Sequence, residues 1–132
     1  MHLRKDKGFT LAELLIVVAI IAVLVAISIP IFSTQRHKAK VAADIANLRS
    51  FYAELQADYI ETGKFNPVVK QYELSMEKHV EFTDLNGNTI RLQDGYFAIR
   101  ENTTGGYQIS YYCNNSDHFE NPKFPNCTTV IG

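Results

Sequence analysis

Glu13 is the side chain whose chemistry the sequence makes most conspicuous. It is the only ionisable residue between Phe9 and Thr34, a segment that is otherwise almost entirely apolar. An ionised carboxylate in apolar surroundings costs several kcal/mol unless it meets a cation, reaches the polar interface or takes up a proton. The sequence therefore predicts a cationic partner for Glu13, or else a carboxylate that reaches the interface or stays protonated in a lone membrane anchor.

A cation for this carboxylate would appear if the chain were cut between Gly8 and Phe9. The basic residues before Glu13 all lie in the short segment from Met1 to Gly8, and no lysine or arginine follows it within two helical turns. A free amino group on Phe9 would be unfavourable at the positive end of its own helix dipole, and Glu13 is unfavourable in apolar surroundings. Pairing these two charges would relieve both penalties.

The element that positions Glu13 is predicted to be a long apolar helix that begins near Thr10. The apolar segment continues to Phe32, and about two dozen helical residues suffice to cross a hydrocarbon core about 30 Å thick. A secretory signal would be shorter and would end in a small-residue cleavage site, so a plain single-pass anchor is the stronger alternative. Three basic residues flank the segment on each side and leave its orientation open.

The N-terminal pattern carries a family resemblance. Its parts are a basic leader, Gly8, Phe9-Thr10-Leu11, Glu13-Leu14-Leu15 and, after the apolar helix, Pro30. Over residues 4–32 this pattern resembles the N-terminus of type IV pilins and of the pseudopilins of type II secretion and competence systems. The resemblance implies that a membrane aspartyl peptidase, the prepilin peptidase, cuts after Gly8 and that Phe9 becomes N-methylated. It also implies that Glu13 faces the terminal amine of a neighbouring subunit.

The function implied by the resemblance is that of a structural subunit, a pilin, in a type IV pilus. Phe9, Glu13 and Pro30 would be assembly residues of a homo-oligomeric helical filament that supports adhesion, twitching motility or DNA uptake. Its partners would be the prepilin peptidase, the inner-membrane assembly platform and, before assembly, the lipid bilayer. The subunit would lie in the inner membrane first and in the extracellular pilus afterwards. The alternatives are a pseudopilin and, less favoured, a monomeric membrane-anchored binding module.

Composition argues against several other functions. The chain has 132 residues and a net charge of −1, so it lacks the basic surplus of a general nucleic-acid binder. Its four histidines are scattered, and no nucleophile elbow, phosphate loop, zinc-ligand pair or matched carboxylate set is present in the sequence. We therefore expect neither an enzyme nor a cofactor nor a resident metal.

After the apolar segment the helix is predicted to continue as an amphipathic helix. Pro30 should bend or loosen it, and Gly63 followed by Pro67 should end it near Thr62. Asp44 is among the polar residues that are expected to lie beside the apolar stripe. The stripe itself follows alternating steps of four and three and comprises Val41, Ile45, Leu48, Tyr52, Leu55 and Tyr59.

The remaining residues predict a small antiparallel sheet that covers this stripe. Strands are expected at 80–82, 89–92, 96–100 and 107–112, with a turn at 84–88 and a short helical turn around 72–76. Asp84, Asn86 and Asn88 resemble a calcium loop superficially, but the glycine is misplaced and no glutamate closes the loop, so a hairpin turn is favoured. The predicted fold class is α+β, with a long N-terminal helix packed on a sheet of three or four strands.

This organisation divides the chain into four segments. Residues 1–8 would form the leader, 9–34 the transmembrane or filament-core helix, 35–62 its amphipathic half and 63–132 a globular head. Cys113 and Cys127 are the only cysteines. In a head outside the cytoplasm, which the resemblance implies, they are predicted to form a disulfide that contributes about 3 kcal/mol. A metal site is less favoured because, even with His118 between the cysteines, no fourth ligand is obvious.

Overall fold

The longest element is α1, a helix of 52 residues over Leu11–Thr62. The computed structural model describes residues 8–73, 77–113 and 127–132 of the chain. Their contacts form two compact units, Met1–Arg36 and His37–Gly132, and α1 contributes to both. The first unit holds the apolar half of the helix, and the second combines the amphipathic half with the strands.

The C-terminal end of α1 is where the sequence predicts it. Gly63 has a φ of 67°, and its N–H donates to the Tyr59 carbonyl at 2.8 Å. A positive φ is strained for a residue with a β-carbon, so glycine suits this way of ending a helix. Asn66 then caps a 3₁₀ helix over Pro67–Tyr72. This 3₁₀ helix ends where the helical turn predicted around 72–76 begins, and residues 74–76 of that prediction lie outside the described part.

Pro30 lies inside α1 without ending it. It has no N–H to donate to the carbonyl of Ala26, one turn earlier. The hydroxyls nearby bond within the helix, since Ser28 donates to the Leu24 carbonyl at 2.7 Å and Thr34 donates to the Pro30 carbonyl at 3.2 Å. These bonds let two hydroxyl groups lie along an apolar segment with their donors satisfied. A bend at Pro30 stays a prediction.

The head contains two antiparallel sheets. The strands are β1 over Glu81–Thr83, β2 over Thr89–Arg91, β3 over Gly95–Glu101, β4 over Tyr107–Cys113 and β5 over Thr129–Ile131. β1 and β2 form a hairpin, and the second sheet has the order β3, β4, β5. In its register Ile99 lies opposite Ile109, and Tyr111 lies opposite Thr129.

The α+β fold is as predicted, and a strand is present at each of the four expected places. The strands expected in one antiparallel sheet are divided between two sheets, and β5 is an additional strand. β5 has three residues, as β1 and β2 do, but those two flank the turn at 84–88 that marks them in the sequence, whereas residues 114–128 separate β5 from its partner β4. Because β5 pairs with the free side of β4, β4 becomes the central strand of its sheet.

The core lies between the amphipathic half of α1 and the strands. Leu48, Phe51 and Leu55 are its fully buried helix residues. Phe51 stacks on Phe82 with ring centroids 4.5 Å apart. The strands contribute buried side chains from both sheets, which include Phe82, Phe97, Ile99, Tyr107, Ile109 and Tyr111.

The buried face of α1 is rotated relative to the predicted stripe. Ile45, Tyr52 and Tyr59 are only partly buried, whereas Asp44 and Phe51 are fully buried. Asp44 and Phe51 each precede a predicted member by one position, so the face that the strands cover is centred to one side of the predicted one. The pattern was misplaced because a charged residue at position 44 is normally taken to face solvent.

Candidate functional site

The N-terminus of α1 carries a reciprocal pair of hydrogen bonds between Thr10 and Glu13. The Thr10 N–H donates to Oε2 of Glu13 at 3.2 Å, and the Glu13 N–H donates to Oγ1 of Thr10 at 3.3 Å. This arrangement is a capping box, which satisfies two amide groups that the first helical turn leaves unpaired. The prediction for Glu13 missed this role, although the Thr-x-x-Glu spacing is its sequence signal.

The capping box holds the Glu13 carboxylate at the start of the helix. The helix dipole is positive at this end and favours a negative side chain there. The bond to Thr10 uses Oε2, and because a carboxylate accepts through both oxygens, Oε1 is able to take a further donor. Glu13 and Phe9 are both exposed. The candidate site is therefore an outward carboxylate close in sequence to the predicted cleavage point after Gly8; the leader residues 1–7 lie outside the described part.

The predicted assembly residues are spread along the first unit. Glu13 is linked to Thr10 within its own chain. Pro30 follows Glu13 by between four and five helical turns, estimated at about 3.6 residues a turn. Within one chain these residues do not form a pocket, so any joint role for them must involve a second molecule.

The apolar half of α1 leaves its large side chains uncovered. From Phe9 to Phe32 these side chains are 49–89% exposed. Among the described residues, α1 is the one helix that is long and apolar enough to cross a membrane. A continuous apolar surface of this kind is unfavourable in water and is normally covered by lipid or by other apolar helices.

A second polar site lies inside the head, where Asp44 is completely buried. Its carboxylate accepts hydrogen bonds from the backbone N–H groups of Gln93 at 2.7 Å, Asp94 at 2.9 Å and Gly95 at 3.3 Å, and from the Tyr111 hydroxyl at 3.0 Å. A buried charge is tolerated when hydrogen bonds replace its hydration, and four donors do so here. Asp44 thereby fastens α1 to the segment that leads into β3.

The prediction that Asp44 lies beside the core is therefore wrong. Its donors lie 49 to 67 positions further along the chain, so no local pattern indicates them. Burial, together with the charge of Asp44, raises the pKa of Tyr111, so the phenol stays protonated and able to donate. Burial also raises the pKa of Tyr107, whose hydroxyl accepts from the Asn66 N–H at 2.6 Å.

The turn between β1 and β2 is organised by Asp84. Its Oδ1 accepts from the N–H groups of Asn86 at 3.0 Å and Asn88 at 2.7 Å, and its Oδ2 accepts from the Asn88 side chain at 2.9 Å. The Asn88 side-chain hydrogen bond is the largest cause that lowers the pKa of Asp84. The residues that resemble a calcium loop thus form the favoured hairpin turn, with the asparagines acting as donors to Asp84.

Cys113 and Cys127 form the predicted disulfide, with Cα atoms 5.8 Å apart. The segment between them, which includes His118, lies outside the described residues. The structure places a different histidine at the cysteines, since a ring nitrogen of His37 lies within 4.8 Å of both sulfur atoms. His37 Nδ1 also lies 3.1 Å from Oδ1 of Asp94. No sequence pattern links His37 to the cysteines.

One family match covers the capping box and the predicted cleavage point. Residues 3–29 match the family described as the prokaryotic N-terminal methylation motif. The match includes Gly8, Phe9 and Glu13 and extends through most of the apolar half of α1.

Three curated proteins illustrate the similarity to known chains. The "Type IV major pilin protein PilA" of Myxococcus xanthus is 32% identical over 74 residues, which cover 56% of this chain and 34% of the relative. The "Type IV narrow pilus major component PilA5" of Thermus thermophilus is 52% identical over 52 residues, covering 37% of this chain and 45% of the relative. The "Fimbrial protein EcpB" of Eikenella corrodens is 51% identical over 37 residues, covering 28% of this chain and 23% of the relative.

The chain spans less than half the length of these curated relatives. No solved structure matches it. The methylation motif, the apolar helix and the α+β head with its disulfide are nevertheless mutually consistent, and two of the similar proteins are major pilins. On these grounds the N-terminal segment of the chain carries the prokaryotic N-terminal methylation motif, and the chain is similar to the type IV pilins.

Proposed function

We propose that this chain is a structural subunit of a type IV pilus filament. The prepilin peptidase cleaves it after Gly8, Phe9 becomes N-methylated, and the apolar helices then bundle with each Phe9 amine paired to Glu13 of a neighbouring subunit. The observation that carries this proposal is the capping box, which holds an exposed carboxylate four residues after the amine that cleavage would create. The similar proteins are named as pilus or fimbrial components, which favours a pilus over a pseudopilus.

The proposed pair selects one stagger between subunits. An ion pair in water contributes about 0–1 kcal/mol. The same pair enclosed by apolar helices is stronger because the surroundings screen it less. A different stagger would leave the Phe9 amine and the Glu13 carboxylate separately buried, at a cost of several kcal/mol.

The exposed apolar surface supports both proposed locations of the subunit. Lipid covers residues 9–34 while the subunit is in the inner membrane, and other copies cover them in the extracellular filament. Both surroundings are apolar, so transfer between them gains little hydrophobic free energy, and the assembly platform must extract the subunit. The amphipathic half at 35–62 carries the head at 63–132 to the outside of the filament, where it would serve adhesion, twitching motility or DNA uptake.

Three variants separate the charge of Glu13 from its capping role. Glu13→Gln keeps a side-chain oxygen for the capping box but removes the charge. Thr10→Ala removes the capping oxygen at a cost of about 1 kcal/mol and keeps the charge. Glu13→Ala removes both. We expect both Glu13 variants to accumulate in the membrane and to be absent from filaments sheared off cells, whereas Thr10→Ala should still assemble.

The measurement is an immunoblot of membrane and sheared fractions, with electron microscopy of the filaments. Assembly of Glu13→Gln at the wild-type level would contradict the charge pairing. Failure of Thr10→Ala to the same extent as Glu13→Gln would show that assembly requires the capping box in addition to the charge, against the expectation that the charge alone decides. Mass spectrometry of the filament subunit should give a methylated Phe9 as the first residue, and a working subunit that retains Met1 to Gly8 would contradict the proposed processing.

A further inference from the structure

Three metal-binding side chains converge at the disulfide. One donor atom from each of His37, Cys113 and Cys127 lies within 4.8 Å of the other two, and all three side chains are partly buried. Two thiolates and an imidazole form a donor set that zinc prefers. In the disulfide form the two sulfur atoms are bonded to each other, so the set becomes available when both cysteines are thiols.

Asp94 fixes the ring of His37. Its Oδ1 lies 3.1 Å from Nδ1 of His37, and the two side chains are 12% and 16% exposed. Histidines that bind metals nearly always donate their other ring N–H to a carboxylate or carbonyl, which fixes the tautomer. Donation from Nδ1 to Asp94 leaves the lone pair on Nε2, the nitrogen that would bind an ion.

The backbone of Asp94 is held by a hydrogen bond, and one of its carboxylate oxygens is available for a further donor. Its N–H donates to Oδ2 of the buried Asp44 at 2.9 Å. Within the described part of the chain, Oδ2 of Asp94 is buried and has no hydrogen-bond partner. A buried acceptor of this kind is unusual and is suited to a donor that arrives with a ligand, such as a metal-bound water.

We propose that the dithiol form of the head binds one Zn²⁺ ion through Cys113, Cys127 and His37, with water as the fourth ligand. Asp94 is the residue that positions His37. Two sulfur atoms on a tetrahedral zinc are about 3.8 Å apart, given bonds of about 2.3 Å, so they separate modestly once the disulfide is absent. The ion links α1 to β4 and to the segment before β5, whereas the disulfide links the last two alone.

The binding step exchanges protons and transfers no electrons. Each thiol loses its proton, so one Zn²⁺ replaces two protons, and the two thiolate charges neutralise the ion. Zinc binding lowers the reactivity of both thiols, which keeps cysteines of different copies from pairing with each other. It also holds Cys113 and Cys127 side by side before their disulfide forms.

Conversion to the disulfide releases the ion. This step needs a two-electron oxidant, for which the disulfide of a thiol–disulfide oxidoreductase is the chemical class. The thiolates of Cys113 and Cys127 lose two electrons as their sulfur–sulfur bond forms. The disulfide of the oxidant takes up those electrons and two protons to become a dithiol, and Zn²⁺ leaves because both of its sulfur ligands are lost.

The test is a zinc titration of the full chain in detergent micelles. One sample keeps its disulfide, and the other is reduced with a phosphine under argon. Binding is measured by competition with a chromophoric zinc chelator. The reduced chain should bind one Zn²⁺ and the oxidised chain none. Co²⁺ added in place of Zn²⁺ should give the absorption of a tetrahedral ion with sulfur-to-cobalt charge transfer in the reduced sample alone.

Two variants test the histidine ligand and the residue that positions it, and two others serve as controls. His37→Ala should weaken zinc binding at least tenfold, and Asp94→Asn should weaken it by about 10- to 100-fold. The matched controls His79→Ala and His118→Ala should bind as the wild type does. Circular dichroism of the oxidised variants, which hold no metal, checks that each one folds. Equal zinc binding by oxidised and reduced chain, wild-type affinity in His37→Ala, or a loss of affinity in His118→Ala would each overturn the proposal.

Discussion

The Tyr111 hydroxyl donates a hydrogen bond to Oδ2 of Asp44 at 3.0 Å inside the head. The two residues lie 67 positions apart, one on β4 and the other on α1. Three backbone N–H groups, from Gln93, Asp94 and Gly95, complete the surroundings of the carboxylate. Because these donors converge on one side chain, they fix both the rotation and the height of the amphipathic half of α1 against the strands.

Removal of the Asp44 carboxylate should strongly destabilise the head. Asp44→Ala leaves four donors without their acceptor, two of them on the buried residues Gly95 and Tyr111, and we expect the free energy of unfolding to fall by about 3–5 kcal/mol. Urea unfolding of the oxidised protein, followed by near-ultraviolet circular dichroism, measures this change. The exposed Arg49 on the same helix provides the control, since Arg49→Ala should change stability by about 0.5 kcal/mol or less. Equal stability of the two variants would contradict the anchoring role.

Tyr111→Phe should change the dependence of stability on alkaline pH. Burial is the larger cause that raises the pKa of Tyr111, and the charge of Asp44 is the second. The folded head therefore holds the hydroxyl proton of Tyr111 more tightly than the unfolded chain does. The resulting stability is complete below about pH 10, where the unfolded tyrosine begins to ionise, and declines as pH rises further. The variant should lose about 1 kcal/mol at neutral pH and show a shallower alkaline decline. Unfolding free energies at a series of pH values measure both effects, and Tyr112→Phe, which should retain the steep decline, is the control.

Phe51 and Tyr52 offer a direct test of which helix face is buried. Phe51 is fully buried, whereas Tyr52 is only partly buried. Phe51→Ala should lower the unfolding free energy by about 3–5 kcal/mol, as is usual for large-to-small changes in a core. Tyr52→Ala should lower the unfolding free energy by less than half of that amount. Denaturant unfolding of the two variants under the same conditions decides the point, and a larger loss in Tyr52→Ala would restore the stripe predicted from the sequence.

The disulfide should make a measurable contribution to stability. Cys113 and Cys127 are separated by 14 positions, and closing a loop of this size contributes about 3 kcal/mol in the chain-entropy description. In the double variant Cys113→Ser and Cys127→Ser, the free energy of unfolding should be lower by this amount, as measured by thermal or urea unfolding. Reduced wild-type protein in the presence of a metal chelator should unfold at the same midpoint as the double variant. Unchanged stability in both samples would show that the bond is not needed to hold the head.

Features that depend on neighbouring residues could be predicted from the sequence. Gly63 ends α1 because its own backbone adopts a positive φ, and the turn at Asp84 forms because the donors lie two and four residues further on. The pattern around Gly8, Phe9 and Glu13 is equally local and carries the resemblance to type IV pilins. The capping box with Thr10 is local as well, and the prediction missed it because Glu13 was considered chiefly as a buried charge in need of a cation.

Features that depend on distant residues could not be predicted in this way. Asp44 is buried because donors from another part of the chain surround it, and His37 lies at the cysteines because the fold brings them together. Neither residue differs in type or spacing from an ordinary exposed polar residue on a helix. The buried stripe of α1 was misplaced for the same reason. With Asp44 assumed to lie in solvent, the predicted buried face was shifted toward Ile45 and Tyr52.

The pairing of β4 with β5 has a consequence for how the end of the chain can vary. Cys113 closes β4, Cys127 stands two residues before β5, and the register sets Tyr111 opposite Thr129. The residues on either side of the segment 114–126 are thus held by two adjacent strands, independently of the sequence of that segment. We therefore expect an unrelated peptide grafted into this interval to leave the frame of the head intact.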